Sequence, residues 1–523
     1  MFCIFDFYQE AMKNHIIIRD ILFHCFLIAF MFSIPVITLA QSNNYWTRSF
    51  NEESSLLSGA VVGGGSGPTA IYYNPASISE VIASKLSLNA SLFSFDFNNA
   101  QNALGDDINI KTSRGNLEPR FISYMIKSKR YKNWSFEVAF LNNENTKAEI
   151  TASVDNRIDI LTGIPGDERY FAFYQYSNQF RDDWIGIGGS VKLSDRLFAG
   201  FSMFATIKSL EYTNSLDIEA YSLNDSIFVD NEYVPFYVAG YERSEYLKFN
   251  DYRLTLKGGL LYKTETFSVG LSLTAPSIGG IYSDSKRVTR KEKQSNITMP
   301  GSGEPVPDYV IVDYKEKKDM QVSFKTPFSI AAGFTYYFPD KKRTFYSSVE
   351  FFSKTDPYRM VEAEESPAIG QGAESDEVLY SEWLTYVTGA RPVFNVALGY
   401  STTLKKDLRL MGGFRTDFNS TKNLDYKQYA GYNKVQSINL DLYHITCGLA
   451  WNIFGQDIIT GLQYSVGRNK NQQQLANLSD PVEYNTTENL PLQGDRNYNM
   501  ISLYNSISLY FGASFNFGDK KDQ

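Results

Sequence analysis

One histidine follows the first forty residues of this 523-residue chain, and any Ser-His or Cys-His nucleophile would depend on it. This residue, His444, stands in the run DLYHITC. Alternation along an extended strand would place His444 on the face opposite Tyr443 and Ile445, where it could point into an enclosed interior. A lone histidine on such a wall is more often hydrogen-bonded than catalytic. The sequence therefore predicts no hydrolase.

A second candidate for chemistry is the stretch Gly64-Gly65-Ser66-Gly67-Pro68. It departs from the G-x-S-x-G nucleophile elbow at its last position and is not placed between a strand and a helix. Cys447 is the single cysteine after residue 40, so an internal disulfide or a cysteine-based zinc site cannot form there. The sequence has no phosphate-binding loop, so we expect no enzyme, no catalytic residue, no metal and no cofactor.

Charged residues recur on the faces that alternation predicts to point inward, namely Glu137, Lys192, Lys208, Glu350, Lys354, Arg409, Arg415, Asp417 and Asp457. Lys208, Arg409 and Arg415 could bind a carboxylate ligand, since arginine suits a bidentate contact. Alternatively, opposite charges across a polar interior pair with one another. Lys208, Arg409, Arg415 and His444 are the candidate ligand contacts.

The composition favours a β-rich protein that positions these residues in strands. The chain is 43% apolar and 15% aromatic, with 36 Tyr, 38 Phe and a formal charge of -8. This balance argues against a disordered chain and against a nucleic-acid binder. Aromatic residues favour strands, and no apolar run of about 18 residues follows residue 40.

Fourteen segments alternate between apolar and small or polar residues, as strands with one oily face do. They lie near 84–97, 118–128, 133–152, 183–193, 196–213, 250–263, 266–275, 325–338, 344–354, 391–403, 408–418, 439–451, 456–467 and 500–517. Short and long connections alternate between them. Outer-membrane barrels have an even strand number, short periplasmic turns and long outside loops. The pattern predicts a 14-stranded antiparallel transmembrane β-barrel with both termini in the periplasm.

A soluble β-sandwich would also alternate, but it would not need the rule of long and short connections. The segment Glu168 to Phe180 does not fit an even count, and we interpret it as an outside loop or a short helix over the mouth. The long polar connections 277–320, 355–390 and 467–499 are predicted to be mainly solvated surface.

The N-terminus is typical of an export signal, with Met1 and Met12 as two possible starts. Basic residues precede an apolar run, and Ala40 is a small residue suited to cleavage before Gln41. An uncleaved membrane anchor is the alternative; Ala40 and the polar residues after it favour cleavage.

The stretch Gly59 to Ser79, GAVVGGGSGPTAIYYNPASIS, is rich in small residues and precedes the first predicted strand. Its glycines allow tight turns and close approach, and Asn74-Pro75 favours an extended or turn geometry at its exit. A flexible loop is one interpretation. Because fourteen strands enclose more space than wall side chains can fill, the stretch could instead fold back as a plug.

This stretch, with its Tyr73-Asn74-Pro75-Ala76 core, resembles the N-terminal hatch of the FadL-type outer-membrane transporters of long-chain fatty acids and hydrophobic compounds. Later pieces from Trp184, Gly258, Lys325 and Asp407 agree with the resemblance in order. With the export signal at 1–40, it divides the chain into an N-terminal extension and hatch at 41–83, a barrel at 84–518 and a tail at 519–523. The hatch and gating residues are Gly63, Gly64, Gly65, Gly67, Asn74, Pro75 and Ala76.

The resemblance implies passive transport of hydrophobic molecules, with fatty acids as the substrate, in the outer membrane of a Gram-negative bacterium. The expected partners are the hydrophobic substrate, outer-membrane lipid and the barrel-assembly machinery during insertion. Some related barrels serve secretion or surface attachment, so an adaptor that binds a protein partner through its outside loops is the alternative.

Overall fold

The computed structural model describes residues 43–46, 49–80, 85–127, 130–131, 133–229, 231–298, 305–306, 309–316, 320–363, 365, 370–371, 379–405, 407–422, 424–429, 431–437, 439–453 and 456–516. The predicted signal peptide at 1–40 and tail at 519–523 lie outside these residues. No helix among the described residues is long and apolar enough to cross a membrane.

Fourteen strands of the described chain form one closed ring. They are β1 Lys85–Gln101, β2 Ile110–Lys127, β3 Trp134–Ile158, β4 Glu168–Lys192, β5 Leu197–Ser222, β6 Val238–Lys263, β7 Phe267–Thr274, β8 Ser329–Tyr337, β9 Arg343–Phe352, β10 Val393–Lys405, β11 Leu408–Asp417, β12 Leu442–Ile453, β13 Gln456–Gln472 and β14 Met500–Asn516. Each strand pairs antiparallel with the next. The last strand, β14, pairs back with β1. The predicted antiparallel barrel class is confirmed.

An apolar belt covers the outer face of the ring. It includes Ile122, Tyr124, Phe136, Val138, Ile185, Ile187, Phe201, Leu260, Val269, Leu271, Phe334, Phe351, Phe394, Leu398, Phe414, Ile445, Leu509 and Phe511, all exposed. On β14, Leu509 and Phe511 point outward while Ser506, Ser508 and Tyr510 are buried inside. A belt of this kind faces lipid in membrane barrels.

Strands β3 to β6 are much longer than a membrane requires. They have 25, 25, 26 and 26 residues, against about 9–11 for a spanning strand. Their outer halves, together with the strands Ile278–Ser295 and Tyr309–Glu316, form a sheet beyond the apolar belt. We call this part the outer wall; Gly370–Gln371 adds a short pairing to its edge.

Two predictions are wrong at the outer wall. The segment Glu168 to Phe180 is the outer half of β4, paired from Glu168↔Ser222 on one side and Ile158↔Glu168 on the other. It therefore extends the strand predicted near 183–193 and does not form a fifteenth strand. The stretch 277–320 contains strands of the outer wall and is not only a loop.

The long loops fill the space inside the outer wall. Leu475, Leu478 and Leu492 of the connection after β13 are buried, as are Met360 and Leu384 of the connection after β9. They pack against inward tyrosines of the outer wall in one apolar cluster. The prediction of mainly solvated loops at 355–390 and 467–499 is wrong, because an apolar interior beyond the membrane has to be covered.

Short elements give these connections their shape. Gln321–Val322, Thr355–Glu362, Tyr386–Ala390 and Asn433–Lys434 form a four-stranded sheet. Small hairpins join Ser226–Val229 to Glu232–Pro235, Ile297–Thr298 to Pro305–Val306, and Tyr484–Asn485 to Leu490–Pro491. One helical turn, Tyr380–Trp383, and one 3-10 turn, Lys427–Tyr429, complete them.

Residues 43–80, the inner segment, contain helix α1 at Glu52–Leu56, helix α2 at Ala70–Tyr73 and 3-10 turns at Gly67–Thr69 and Pro75–Glu80. Asn51 caps α1 through a capping box with Ser54. The segment contacts inward-facing residues of strands on opposite sides of the ring, so it lies in the lumen.

Candidate functional site

The wall of the barrel presents glycines to the inner segment. On nine described strands, a Cβ added to the glycine would come within 3.1 Å of an atom of the inner segment: Gly188, Gly200, Gly259, Gly270, Gly333, Gly399, Gly413, Gly448 and Gly461. We call these nine residues the glycine belt. Strand β9 presents Ser348 in the same way, and its hydroxyl accepts from the Val62 amide at 3.1 Å. Packing this close leaves no room for a substrate beside Gly59 to Ser79.

Glycines of the inner segment also lie close to the wall. A Cβ on Gly63 would lie 2.6 Å from the carbonyl carbon of Gly333, so the two backbones touch. Gly65 has φ +78, a backbone that favours glycine. Gly64 and Gly67 also have positive φ, at the turn before α2.

Asn74 ties the inner segment to itself and to the wall. Its Nδ2 donates to the Val62 carbonyl at 2.9 Å and to the Leu260 carbonyl at 3.0 Å. Its Oδ1 accepts from the Ala76 amide at 3.1 Å. Pro75 lies against Gly200, and Ala76 is fully buried. Six of the predicted hatch residues therefore lie at the contact between inner segment and wall, whereas Gly67 lies beside Asn51 and Glu53 of the inner segment itself.

The first described residues of the inner segment are anchored separately. The Trp46 amide donates to Asp417 Oδ1 at 2.9 Å, and its ring Nε1 donates to Glu350 Oε2 at 2.7 Å. Asn44 Nδ2 donates to the Asp417 and Leu440 carbonyls. These bonds tie Asn44 and Trp46 to β9, to β11 and to the residues just before β12.

The predicted lumen cations are engaged by protein groups. Lys208 Nζ lies 3.1 Å from Asp182 Oδ2, with both side chains buried. Arg409 Nη1 lies 2.8 Å from Glu53 Oε1 of the inner segment. Arg415 Nη1 donates to Ser49 Oγ at 2.6 Å, also in the inner segment. Arg409 and Arg415 therefore contact the inner segment. Lys208 is paired separately, with Asp182 of β4.

His444 is part of a Ser-His-Asp arrangement that sequence reasoning did not anticipate. Its Nδ1 is 2.7 Å from Ser465 Oγ, and its Nε2 is 3.8 Å from Asp417 Oδ2. All three residues are no more than 2% exposed. Asp417 Oδ1 also accepts a hydrogen bond from the Trp46 amide. None of the three lines either cavity described below, so the arrangement fits a wall network.

The side chain of Asp457 lies outside the described part of the structure, and the remaining predicted inward charges divide into two groups. Glu137 accepts from the Ile71 amide of the inner segment at 3.1 Å, and Glu350 accepts from Trp46. Lys192 instead pairs with Asp195 of the adjoining turn. Lys354 is exposed and pairs with Asp356, so its predicted inward position is wrong: it lies just beyond the end of β9.

An upper cavity of about 480 Å³ opens within the outer wall, a size typical of ligand pockets. Its apolar lining is Phe180, Leu210, Phe324, Met360, Val387 and Val435. Its polar lining includes Asn43, Asn214, Arg243, Glu245, Thr388, Thr421, Gln436 and Lys434. Tyr426 also lines it, and burial raises the pKa of Tyr426 to about 12, so its hydroxyl stays neutral.

A lower cavity of about 80 Å³ adjoins the upper one, because Asn43, Phe180 and Phe324 line both. Its lining also includes Asp182 and Trp184. Asn44 and Tyr45 line it too, so the inner segment closes it from below. Sequence reasoning missed Asp182, since the predicted strand began at 183; continued alternation toward Phe180 would have revealed it.

Strands β2 and β3 separate at the level of the lower cavity. Within the described residues their pairing runs only from Phe121↔Leu141 to Lys127↔Ser135, although both strands continue outward. The register of β3 on β4 shifts between Asn142 and Glu144, where the separation begins. Glu144 also lines the lower cavity. Glu144 therefore places the cavity beside the point at which β2 and β3 cease to pair with each other.

No family model and no curated protein matches this sequence. Solved structures do match. A Pseudomonas aeruginosa FadL homologue is 11% identical, with a TM-score of 0.51, over 91% of this chain and 100% of that chain. A TodX monoaromatic hydrocarbon channel carrying the deltaS2S3 mutation is 15% identical, with a TM-score of 0.50, over 90% of this chain and 100% of that chain. This chain therefore has the fold of these barrels.

Proposed function

We propose that the protein is a passive channel for hydrophobic small molecules in the outer membrane of a Gram-negative bacterium. The observation that carries the proposal is a lipid-facing barrel whose lumen is closed by the inner segment below a cavity of about 480 Å³. The solved structures of similar fold are a FadL homologue and a hydrocarbon channel. A closed lumen with an outer chamber suits capture of a ligand and not free diffusion of water and ions.

The path runs from the upper cavity to the lower cavity and then sideways between β2 and β3. The tight contact between the glycine belt and Gly59 to Ser79 blocks a straight descent. The stretch in which β2 and β3 no longer pair with each other starts beside the lower cavity. A hydrophobic molecule gains free energy by leaving the cavity for lipid, so no energy source has to act on the protein.

The inner segment is the proposed hatch, and residues 43–46 are its proposed movable part. Asn43, Asn44 and Tyr45 line the lower cavity. Hydrogen bonds hold residues 43–46 to the wall, whereas Gly59 to Ser79 is held by close packing against the glycine belt. Gly63, Gly64, Gly65, Gly67, Asn74, Pro75 and Ala76 would form its fixed part against the wall. In this scheme both termini are periplasmic, lipid surrounds the belt, and the barrel-assembly machinery inserts the chain.

Long-chain fatty acids are the first substrate to test, since the hatch resemblance implies them. The purified full chain should be reconstituted into vesicles. The transfer of a radiolabelled long-chain fatty acid, the hydrophobic probe, into their bilayer should be compared with its transfer into vesicles that contain no protein. Sucrose leakage is measured on the same preparation. Faster probe transfer without sucrose leakage supports the proposal. The proposal would be contradicted if the protein left the rate of probe transfer unchanged, or if it increased sucrose leakage as much as probe transfer.

A surface adaptor is the second candidate function, favoured by one exposed aromatic hairpin. Phe228, Tyr233 and Phe236 are 59%, 76% and 64% exposed at the tip between β5 and β6. The rings of Phe228 and Tyr233 lie 4.9 Å apart. Such a patch beyond the membrane would suit a protein partner. If it is an adaptor, Phe228→Ser with Tyr233→Ser abolishes co-purification of a stoichiometric partner from cross-linked cells while probe transfer persists.

A further inference from the structure

Three residues that line the lower cavity, Asp182, Trp184 and Thr326, each have a buried polar atom with no hydrogen-bond partner among the described residues. Asp182 and Trp184 share one strand, and their two atoms are considered first. Asp182 Oδ2 accepts from Lys208 at 3.1 Å and from Asn143 at 2.9 Å, but Asp182 Oδ1 has no partner. Trp184 Nε1 has none either. Asp182 is 2% exposed and Trp184 is 4% exposed. Leaving such atoms unpaired costs free energy, which a polar group bound in the cavity would recover.

The two atoms have complementary hydrogen-bonding roles. An ionised carboxylate oxygen only accepts, and an indole Nε1 only donates. Asp182 and Trp184 stand two residues apart on the inward face of β4 and line the same cavity. A hydroxyl group can donate to the first atom and accept from the second with a single oxygen.

A pure hydrocarbon would occupy the cavity without pairing either atom. A carboxylate would bring a third acidic group beside Asp182 and Glu144, both of which line the cavity. Two lysines also line the cavity, Lys208 and Lys325. Lys208 is already paired with Asp182. Lys325 is exposed, with its Nζ 4.3 Å from the centroid of the Tyr358 ring, so water weakens its attraction for a carboxylate. A neutral hydroxyl avoids both costs.

The rest of the lining suits an apolar body attached to that hydroxyl. Phe180 and Phe324 line both cavities, with their ring centroids 5.1 Å apart. Leu210, Met360 and Val387 continue the apolar surface in the upper cavity. A chain or ring directed upward from the lower cavity would contact these side chains.

We propose that the channel selects alcohols or phenols, whose hydroxyl binds between Asp182 Oδ1 and Trp184 Nε1 while the apolar body lies against Phe180 and Phe324. This inference rests on the proposed transport function and narrows its substrate class. It makes fatty-acid carboxylates poorer substrates than alcohols of equal chain length.

The test compares dodecan-1-ol, dodecane and dodecanoate in vesicles containing the full chain, at about pH 8, where a carboxyl group in water is ionised. Transfer rates are expressed relative to empty vesicles. The Trp184→Phe variant keeps an aromatic ring and removes the donor. This variant should slow the transfer of dodecan-1-ol by about three- to ten-fold, the range expected for the loss of one hydrogen bond. The transfer rate of dodecane should not change. Trp134→Phe, on the exposed outer face, is the matched control.

Asp182→Asn tests the acceptor, but it leaves Lys208 without its charge partner and could fail to fold. Trp184→Phe keeps the proposal testable in that case. The inference is overturned if dodecanoate crosses faster than dodecan-1-ol, or if Trp184→Phe slows dodecane and dodecan-1-ol equally. If the channel accelerates none of the three probes, the proposed transport function fails first, and this inference with it.

Discussion

Gly63 of the inner segment and Gly333 of β8 meet backbone to backbone. A Cβ on Gly333 would lie 2.2 Å from the Gly63 amide nitrogen, and one on Gly63 would lie 2.6 Å from the Gly333 carbonyl carbon. No side chain can move aside to relieve such a contact. The position of the inner segment in the barrel is therefore fixed by residues that have no side chain.

Gly333→Ala should push the inner segment off the wall. We expect a loss of about 1–3 kcal/mol of unfolding free energy, as for overpacked cores, together with increased sucrose leakage. Gly258→Ala is the matched control, because a Cβ there meets nothing within 4 Å. Denaturant unfolding of the purified barrels and vesicle leakage check both effects. Equal behaviour of the two variants would contradict the close contact.

Asn74→Ala should loosen the inner segment while the barrel stays folded. The substitution removes two donated bonds and one accepted bond, and it leaves the Val62 and Leu260 carbonyls without that donor. We expect altered transfer of the hydrophobic probe and a cost of about 1–3 kcal/mol for the unpaired groups. Asn156→Ala, on the exposed outer wall, should change neither quantity. If the Asn74→Ala variant transferred the probe at the rate of the parent chain, Asn74 would have no role in the hatch.

Trp46→Phe should free the floor of the lower cavity. Phenylalanine keeps the ring but cannot donate to Glu350. Because residues 43–46 then lose one anchor, probe transfer should rise by about three- to ten-fold if floor movement limits it. Trp451→Phe, on the outward face of β12, is the control. A slower or unchanged rate in Trp46→Phe would place the gate elsewhere.

The side of the membrane on which each loop lies can be read on intact cells. An epitope inserted after Asn231, at the tip between β5 and β6, should be labelled from outside. The same epitope at Asp195, in the short turn between β4 and β5, should be labelled only after the outer membrane is permeabilised. The reverse labelling would invert the proposed topology.

Much of the barrel could be predicted because lipid imposes alternation on each spanning strand. Every one of the fourteen predicted segments overlaps a ring strand, from β1 at Lys85–Gln101 to β14 at Met500–Asn516. The outer wall was missed since its strands face water on one side and packed loops on the other. There the polar and aromatic run ending at Phe180 looks like a loop, although it pairs as strand with β3 and β5.

The candidate site was harder to predict than the fold. Arg409 and Arg415 were recognised as inward cations, but only the structure reveals that Glu53 and Ser49 of the inner segment are their partners. These contacts join residues more than 350 positions apart in sequence. The glycine belt was visible as small residues in strands, yet alternation alone could not say which glycines face the inner segment.

Closure of the lumen by the inner segment is the central claim, and the conductance of a deletion variant tests it most directly. The chain lacking Gly59 to Ser79 should fold as a barrel and, in a planar bilayer, form stable channels that conduct small ions, whereas the parent chain should conduct little. Heat-modifiable migration on a gel reports that the deletion variant has folded. A folded, inserted deletion variant with the conductance of the parent would contradict the account, because another part of the chain would then close the lumen.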